Sequence, residues 1–351
     1  MSLPCGTRNY SYAEDMAILR TKTHWVFFIG FLALLYASPL YLGNYWLGVV
    51  NLIGITLVAA TGLNILVGYC GQLSIGHAGF IALGAYTSAI VTNRMELPFL
   101  VGLIAAGLVA GVVGLIFGLP SIRVKGFYLA ITTIAAQFII LWVINHWDSV
   151  TGGFVGIRAP YPSIAGFEFR TETSQFFLIT TVAVITVFFA KNLARTRVGR
   201  AFIAVRDNDL AAEVMGINLL FYKLLAFFIG CFMAGIAGSL LAHWIGFINA
   251  EHFSLKESIL YIGMIIIGGL GTTVGPIFGV VLIRLLQQTL TVQVVPFLEG
   301  TFDMMPSGFA TGITPMLFGL VIILFLILEP RGLAHRWALF KAAYRLWPFS
   351  Y

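Results

Sequence analysis

The chain has 351 residues, 59% of them hydrophobic and only 10% charged, and this character persists far beyond what one soluble core would need. That excludes an ordinary soluble domain and predicts an all-α, polytopic membrane bundle of about ten transmembrane segments, with interrupted Gly-rich helices. The net charge of +6 is no nucleic-acid footprint, because membrane orientation accounts for the basic residues and no soluble module is present to enter a groove.

In chain order, the first twenty-odd residues are polar. The apolar run from Trp25 to Leu42 is then as long as a spanning helix, which favours a retained first helix over a cleaved leader. Stretches able to cross roughly 30 Å of hydrocarbon follow at Trp46 to Val67, Leu73 to Val91, Pro98 to Leu119 and Phe127 to Asn145. Beyond a polar loop come Phe176 to Ala190, Tyr222 to Ile245, the short Ile259 to Leu270 and Pro276 to Leu290, and finally Ile313 to Leu328.

Polar groups and close-spaced glycines interrupt this series between Gly68 and Tyr86. Backbone freed there must bond to protein or to a water-filled cavity, so the segment reads as a translocation pathway, with Gln72, Ser74, Gly76, His77 and Gly79 as its candidate residues. The run Gly268 to Gly279 faintly echoes it, and paired interrupted segments point to transporters built from internal repeats. Gly107, Gly111, Gly114 and Gly118 instead line up one smooth helix face for close packing.

Charge sets an expected orientation. With the N-terminus inside, the inner segments hold Arg8, Arg20, Lys22, Arg123, Lys125, the basic run from Lys191 to Lys223, and Arg331, Arg336, Lys341 and Arg345. The outer ones hold only Arg94, Arg158, Arg170 and Lys256, so both termini are expected in the cytoplasm. The outer interruption, His146 to Gln175, reads as a docking surface or a long turn. Within the inner one, Lys191 to Tyr222, a helix is expected from Ala201 with Phe202 and Val205 on one face. Asp207 or Asn208 then caps a second short helix carrying Leu210, Ala211, Val214 and Met215, which Gly216 ends. Such helices suit insertion in another protein's groove or rest on anionic lipid.

Absences narrow the function further. All 14 acidic residues fall in tails, loops or segment edges, leaving no carboxylate for a proton relay at mid-membrane depth. No lysine follows a glycine, so no phosphate loop is present and another subunit must bind any ATP that powers transport. Neither a His-Glu-x-x-His pair nor a Gly-x-Ser-x-Gly elbow supports an intramembrane enzyme. Ser74, three residues before His77 on one helical face, resembles a nucleophile and base, but both groups are better read as satisfying backbone opened by the glycines. Cys5, Cys70 and Cys231 are too scattered for a metal site, and no cofactor is expected. Arg284, inside an apolar segment, either pairs within the bundle or snorkels from the end of a short broken helix, and the second is expected.

The run Gly62 to Tyr86 resembles the signature of inner-membrane permeases from bacterial ABC importers for branched-chain amino acids. Thr151 to Ile157, Val198 to Ile217, Gly268 to Pro276 and Glu329 to Leu333 extend the resemblance over nearly the whole chain. It implies a single permease domain over residues 1–351, not itself an enzyme, multi-pass in the bilayer. The implied partners are a second homologous permease, two cytoplasmic ATP-binding subunits and a periplasmic substrate-binding protein. Residues 191–222 resemble the cytoplasmic coupling segment, with Arg200, Asp207, Ala211, Ala212, Glu213 and Gly216 as its candidate contacts. Glu213 follows the two alanines, whereas the family motif places its glutamate before them. Related permeases carry urea or short amides, which is the alternative solute class, and a stand-alone channel or secondary carrier is the alternative of a different kind.

Overall fold

A computed structural model of the chain describes residues 22–122, 124, 126–164, 166–294 and 309–346. Arg8, Arg20, Arg123 and Lys125 of the orientation argument, and Cys5, lie outside the described residues. Among the described residues there are fourteen α-helices and four two-residue strands. The first helices are α1 (Lys22–Tyr36), α2 (Asn44–Leu63), α3 (His77–Asn93), α4 (Phe99–Gly118), α5 (Phe127–His146) and the single turn α6 (Asp148–Thr151). Next come α7 (Glu172–Arg195), the short pair α8 (Arg197–Asp207) and α9 (Asp209–Val214), and α10 (Leu219–Ile245). The last are α11 (Leu255–Gly268), α12 (Gly275–Thr289), α13 (Phe309–Leu328) and α14 (Leu333–Leu346).

Among the described residues, six helices are long and apolar enough to cross a membrane: Asn44–Tyr69, Phe99–Ser121, Phe127–His146, Glu172–Arg195, Leu219–Ile245 and Gly275–Val292. They coincide with six of the ten expected spans. Helix α3 has 17 residues and begins at His77 rather than Leu73, and α11 has 14. At 1.5 Å per residue these are roughly 25 and 21 Å long, short of a full hydrocarbon crossing. At the first and last expected spans stand α1, of 15 residues, and α13, of 20.

Helix α10 sits at the centre, packed on α2, α3 and α4. Small residues allow the close approach. A Cβ at Gly107 would lie 2.7 Å from the Phe232 ring, one at Gly111 2.8 Å from Phe228, one at Gly114 2.6 Å from the Cys231 Cβ and one at Gly118 2.8 Å from Phe227. The glycine stripe of α4 is therefore the packing face its spacing predicts, and the buried thiols of Cys70 and Cys231 fill core space. On the outer rim the polarity inverts relative to a soluble protein: Val26, Ile104, Ile116, Phe138 and Ile185 are exposed, the arrangement a hydrocarbon solvent requires.

The interruption after α5 is tied down rather than a free turn. Gly152, Gly153 and Gly156 take positive φ, which a branched residue resists. They lead into β1 (Ile157–Arg158), which pairs antiparallel with β4 (Phe247–Ile248) just beyond α10. The Ala159 N–H donates to the Gly246 carbonyl at 3.0 Å, and His243 bridges Ser88 Oγ at 2.9 Å and the Pro160 carbonyl at 2.6 Å. Strands β2 (Ser163–Ile164) and β3 (Phe167–Glu168) form a separate small hairpin.

Candidate functional site at the junction of two interrupted helices

The last turns of α2 widen into a π-helical stretch, Asn64–Tyr69, a departure that frequently accompanies function. Gly71, at φ +72, then turns the chain out of the helix. Residues 70–76 run without regular structure until α3 begins at His77. Ser74 therefore does not share a helical face with His77, as the sequence spacing suggested. Each stands on a different kind of backbone, and the nucleophile-and-base resemblance loses its geometric basis.

Backbone opened by the break finds partners on neighbouring helices. Ile75 N–H donates to Thr133 Oγ1 of α5 at 3.0 Å, and Ala78 N–H, in the first turn of α3, donates to Ser258 Oγ of α11 at 2.9 Å. Ser258 in turn donates to Gln137 Oε1 at 2.8 Å, and Gln137 Nε2 donates to the Phe253 carbonyl at 2.9 Å. One polar chain thus joins the starts of two short helices to the middle of α5. It satisfies groups that would each cost about 1–3 kcal/mol if left buried and unpaired.

All five residues expected to line a pathway, Gln72, Ser74, Gly76, His77 and Gly79, are buried. His77 Nε2 lies 3.0 Å from the Ala59 carbonyl. A carbonyl only accepts, so Nε2 carries the proton and a neutral ring presents Nδ1 as an acceptor. Nδ1, Ser74 Oγ and Gln72 Oε1 find no protein partner, which leaves a line of hydrogen-bonding groups along the break. Gly76 and Gly79 serve differently. A Cβ at Gly76 would sit 1.8 Å from the Thr133 carbonyl oxygen, and one at Gly79 2.9 Å from Gln137 Cα. Their hydrogens lie against the α5 backbone.

The second Gly-rich run folds onto the first. Asn64 Oδ1 accepts from Gly271 N–H at 3.0 Å and its Nδ2 donates to the Thr272 carbonyl at 2.9 Å. A Cβ at Gly68 would lie 2.5 Å from the Gly271 nitrogen. Two other stretches converge here. Arg206, near the end of α8, donates from Nη1 to the Gly68 carbonyl at 2.9 Å, and Gly332, between α13 and α14, is so close that its Cβ would lie 2.6 Å from Gly269 Cα. A cavity of about 310 Å³ beside the break is lined by Gln72, Arg206, Asp209 and Lys223 among others. It joins the break directly to the α8–α9 pair.

That pair begins earlier than expected, at Arg197, because Thr196 caps it: Thr196 Oγ1 accepts from Gly199 N–H at 3.3 Å. Phe202 and Val205 are buried, as expected. Asn208 caps α9 through Ala211 N–H at 3.1 Å, and Gly216 ends the segment at φ +84. The apolar side chains of Leu210 and Val214 on α9 and of Met215 at its end are 67, 87 and 82% exposed. Ala211, Glu213, Arg200 and Asp207 are exposed as well, whereas Ala212 is buried. Arg200 donates to the Arg195 carbonyl at 3.2 Å, and Asp207 accepts from Arg206 at 2.9 Å.

Arg284 corrects the sequence reading. It lies inside α12, not at the end of a broken helix, and its side chain is 11% exposed. Nε donates to Thr56 Oγ1 of α2 at 3.0 Å and Nη1 to Gln287 Oε1 at 3.0 Å, while Nη2 stands 3.8 Å from Glu257 Oε2. A guanidinium so enclosed is stable only with such partners. Glu257 is a segment-edge residue, as expected of every carboxylate here, but the edge belongs to a short helix that starts inside the bundle.

An apolar bundle whose interior holds two interrupted helices, joined by side-chain hydrogen bonds to an amphipathic pair with an uncovered apolar face, is the architecture of a multi-pass membrane permease. The chain belongs to the family described as branched-chain amino acid transport system, permease component, which it matches over residues 45–327. It is 31% identical over 282 residues to the high-affinity branched-chain amino acid transport system permease protein LivM of Salmonella typhimurium, covering 74% of this chain and 66% of that protein. To the protein of the same name from Escherichia coli it is 32% identical over 282 residues, with the same coverage. The match thus spans 66%, just under two thirds, of the length of these two relatives. A probable branched-chain amino acid transport permease protein LivM of Methanocaldococcus jannaschii is 25% identical over 320 residues, 80% of this chain and 90% of that one. No solved structure matches the chain.

Proposed function

We propose that the chain is the membrane permease subunit of an ATP-driven importer for branched-chain amino acids, forming one domain over residues 1–351. It works with a second homologous permease, two cytoplasmic ATP-binding subunits and a periplasmic substrate-binding protein, both of its termini lying in the cytoplasm. The observation that carries this reading is the placement of Arg206. It belongs to the segment whose neighbour α9 exposes Leu210, Val214 and Met215, and it grips the Gly68 carbonyl where both Gly-rich runs meet. Apolar residues exposed on a short helix suit a groove on a partner. Movement of α8 and α9 by that partner pulls on the carbonyl at the end of α2 and so on the break that follows.

Branched-chain solutes are favoured over urea or short amides by the family and by the aliphatic walls around the interrupted helices. The experiment is competition in proteoliposomes holding the complete complex. Valine, leucine and isoleucine are expected to displace labelled leucine uptake, and urea and acetamide are not. Uptake of urea unaffected by leucine would assign the transporter to the other solute class.

A further inference from the structure

Arg284 and Glu257 bound a cavity of about 140 Å³ that lies between α2, α3, α10, α11 and α12. Five features of it are independent of the Gly-rich break. First, the cavity carries one positive and one negative side chain, both partly enclosed at 11 and 31% exposure. Second, the pair is loose: 3.8 Å between Nη2 and Oε2 exceeds the roughly 2.7–2.9 Å of a charge-assisted hydrogen bond. Third, Arg284 gives one N–H each to Thr56 and Gln287 and also meets the Tyr261 hydroxyl, which leaves some of the five N–H donors of a guanidinium for a ligand. Fourth, the other walls include Leu52, Ile55 and Ile81, all aliphatic, with the Tyr261 ring beside them. Fifth, Glu257 stands in the first turn of α11, a helix end that favours anionic side chains.

We propose that this cavity is a solute site for a zwitterionic α-amino acid, whose carboxylate is received by Arg284, whose ammonium is received by Glu257, and whose alkyl chain lies on the aliphatic wall. The proposal rests on the reading of the chain as an amino acid permease and names the residues that recognise the two charged ends common to that solute class. A pair serving structure alone gains most by closing to hydrogen-bond distance, because desolvated charges gain from contact. Standing 3.8 Å apart in the wall of one cavity, the same two charges are complementary to a ligand that carries both signs a few ångströms apart. A neutral solute such as urea offers neither. Ala78 of α3, Phe253 just before α11 and Glu257 in its first turn all line the cavity, so it adjoins the helix that follows the first break, the kind of place where transporters hold their solutes.

The test is the thermal unfolding of the purified membrane complex without its binding protein, titrated with leucine, with leucinamide, which lacks the carboxylate, and with 4-methylpentanoate, which lacks the ammonium. A ligand that binds the folded state raises Tm. Leucine is expected to raise it at concentrations at least about tenfold below those needed by either truncated compound, and the Arg284→Gln and Glu257→Gln complexes are expected to lose the leucine response. An equal response to all three compounds, no response to leucine in a complex that takes up leucine, or an unchanged response in both variants would overturn the proposal. If the variants do not assemble, the comparison of the three compounds on the unaltered complex decides by itself. Leucine uptake by the unaltered complex, measured in parallel, keeps the two readings separate: uptake without a thermal response removes this site and leaves the transport function standing.

Discussion

Replacing Gly76 by leucine is expected to abolish assembly of the permease, not merely to slow it. The first added carbon would lie 1.8 Å from the Thr133 carbonyl oxygen, which belongs to the backbone of α5 and cannot rotate aside. Overpacking by a methylene or two costs about 1–3 kcal/mol; here the conflict starts at Cβ, before any of the leucine branches are placed. Separation of α5 from the break would also strip Ile75 N–H of Thr133 and Ala78 N–H of the Ser258–Gln137 chain. Gly79→Leu is expected to do the same with a smaller initial conflict, 2.9 Å from Gln137 Cα. Detergent-purified complex, examined for subunit stoichiometry, reads this out. Intact stoichiometry with lost uptake would place these glycines on the solute path instead of in the packing between helices.

The second large effect is expected at α9. Leu210→Asp combined with Val214→Asp puts two charges on a face that is now apolar and 67 and 87% exposed, so the folded bundle loses little. A partner seated on that face would have to bury both charges, each at a cost of several kcal/mol. Uptake should fall by at least about tenfold, equivalent to 1.4 kcal/mol, with the two permease subunits still associated and the ATP-binding subunits lost on purification. The neighbouring positions behave otherwise. Ala212 is buried, so a bulky charged residue there disrupts the α8–α9 pair itself. Gly216→Val meets no atom within 4 Å but must hold φ at +84, at about 1–2 kcal/mol. The orientation is read from the same segment: in a background free of native cysteines, Met215→Cys should react only with reagent reaching the cytoplasmic face and Phe167→Cys only from outside. Reaction of both from outside, or full uptake by the Leu210 and Val214 double variant, would make the segment a surface linker.

Much of this was legible from the residues in order. Asn208 as a cap, Gly216 as a stop, Phe202 and Val205 as an inner face and the α4 glycines as a packing stripe all follow from local rules, which depend on neighbours within a turn or two. The Gly-rich runs announced themselves as breaks, and their faint echo pointed to the two elements that meet through Asn64 and Gly271. What stayed hidden depends on partners far away in the chain. Arg284 was singled out but assigned to a helix end, since nothing near it in sequence reveals Thr56 across the bundle. Asn64 and Gln137, single amides in apolar stretches, are the sequence signal for the polar contacts they make across the bundle. Arg206 looked like one basic residue among several. Of the ten expected spans, six are long and apolar enough on their own, while α3 and α11, which border the Gly-rich breaks, have 17 and 14 residues.

Uptake of labelled leucine into proteoliposomes tests the central claim most directly, with the complete complex reconstituted, binding protein supplied on one side and ATP on the other. Accumulation is expected only when both are present, and it should stop when the ATP-binding subunits are inactivated while the chain itself is unaltered. Equilibration of leucine by this chain alone, without ATP or binding protein, would contradict the account and make the protein a channel or a secondary carrier.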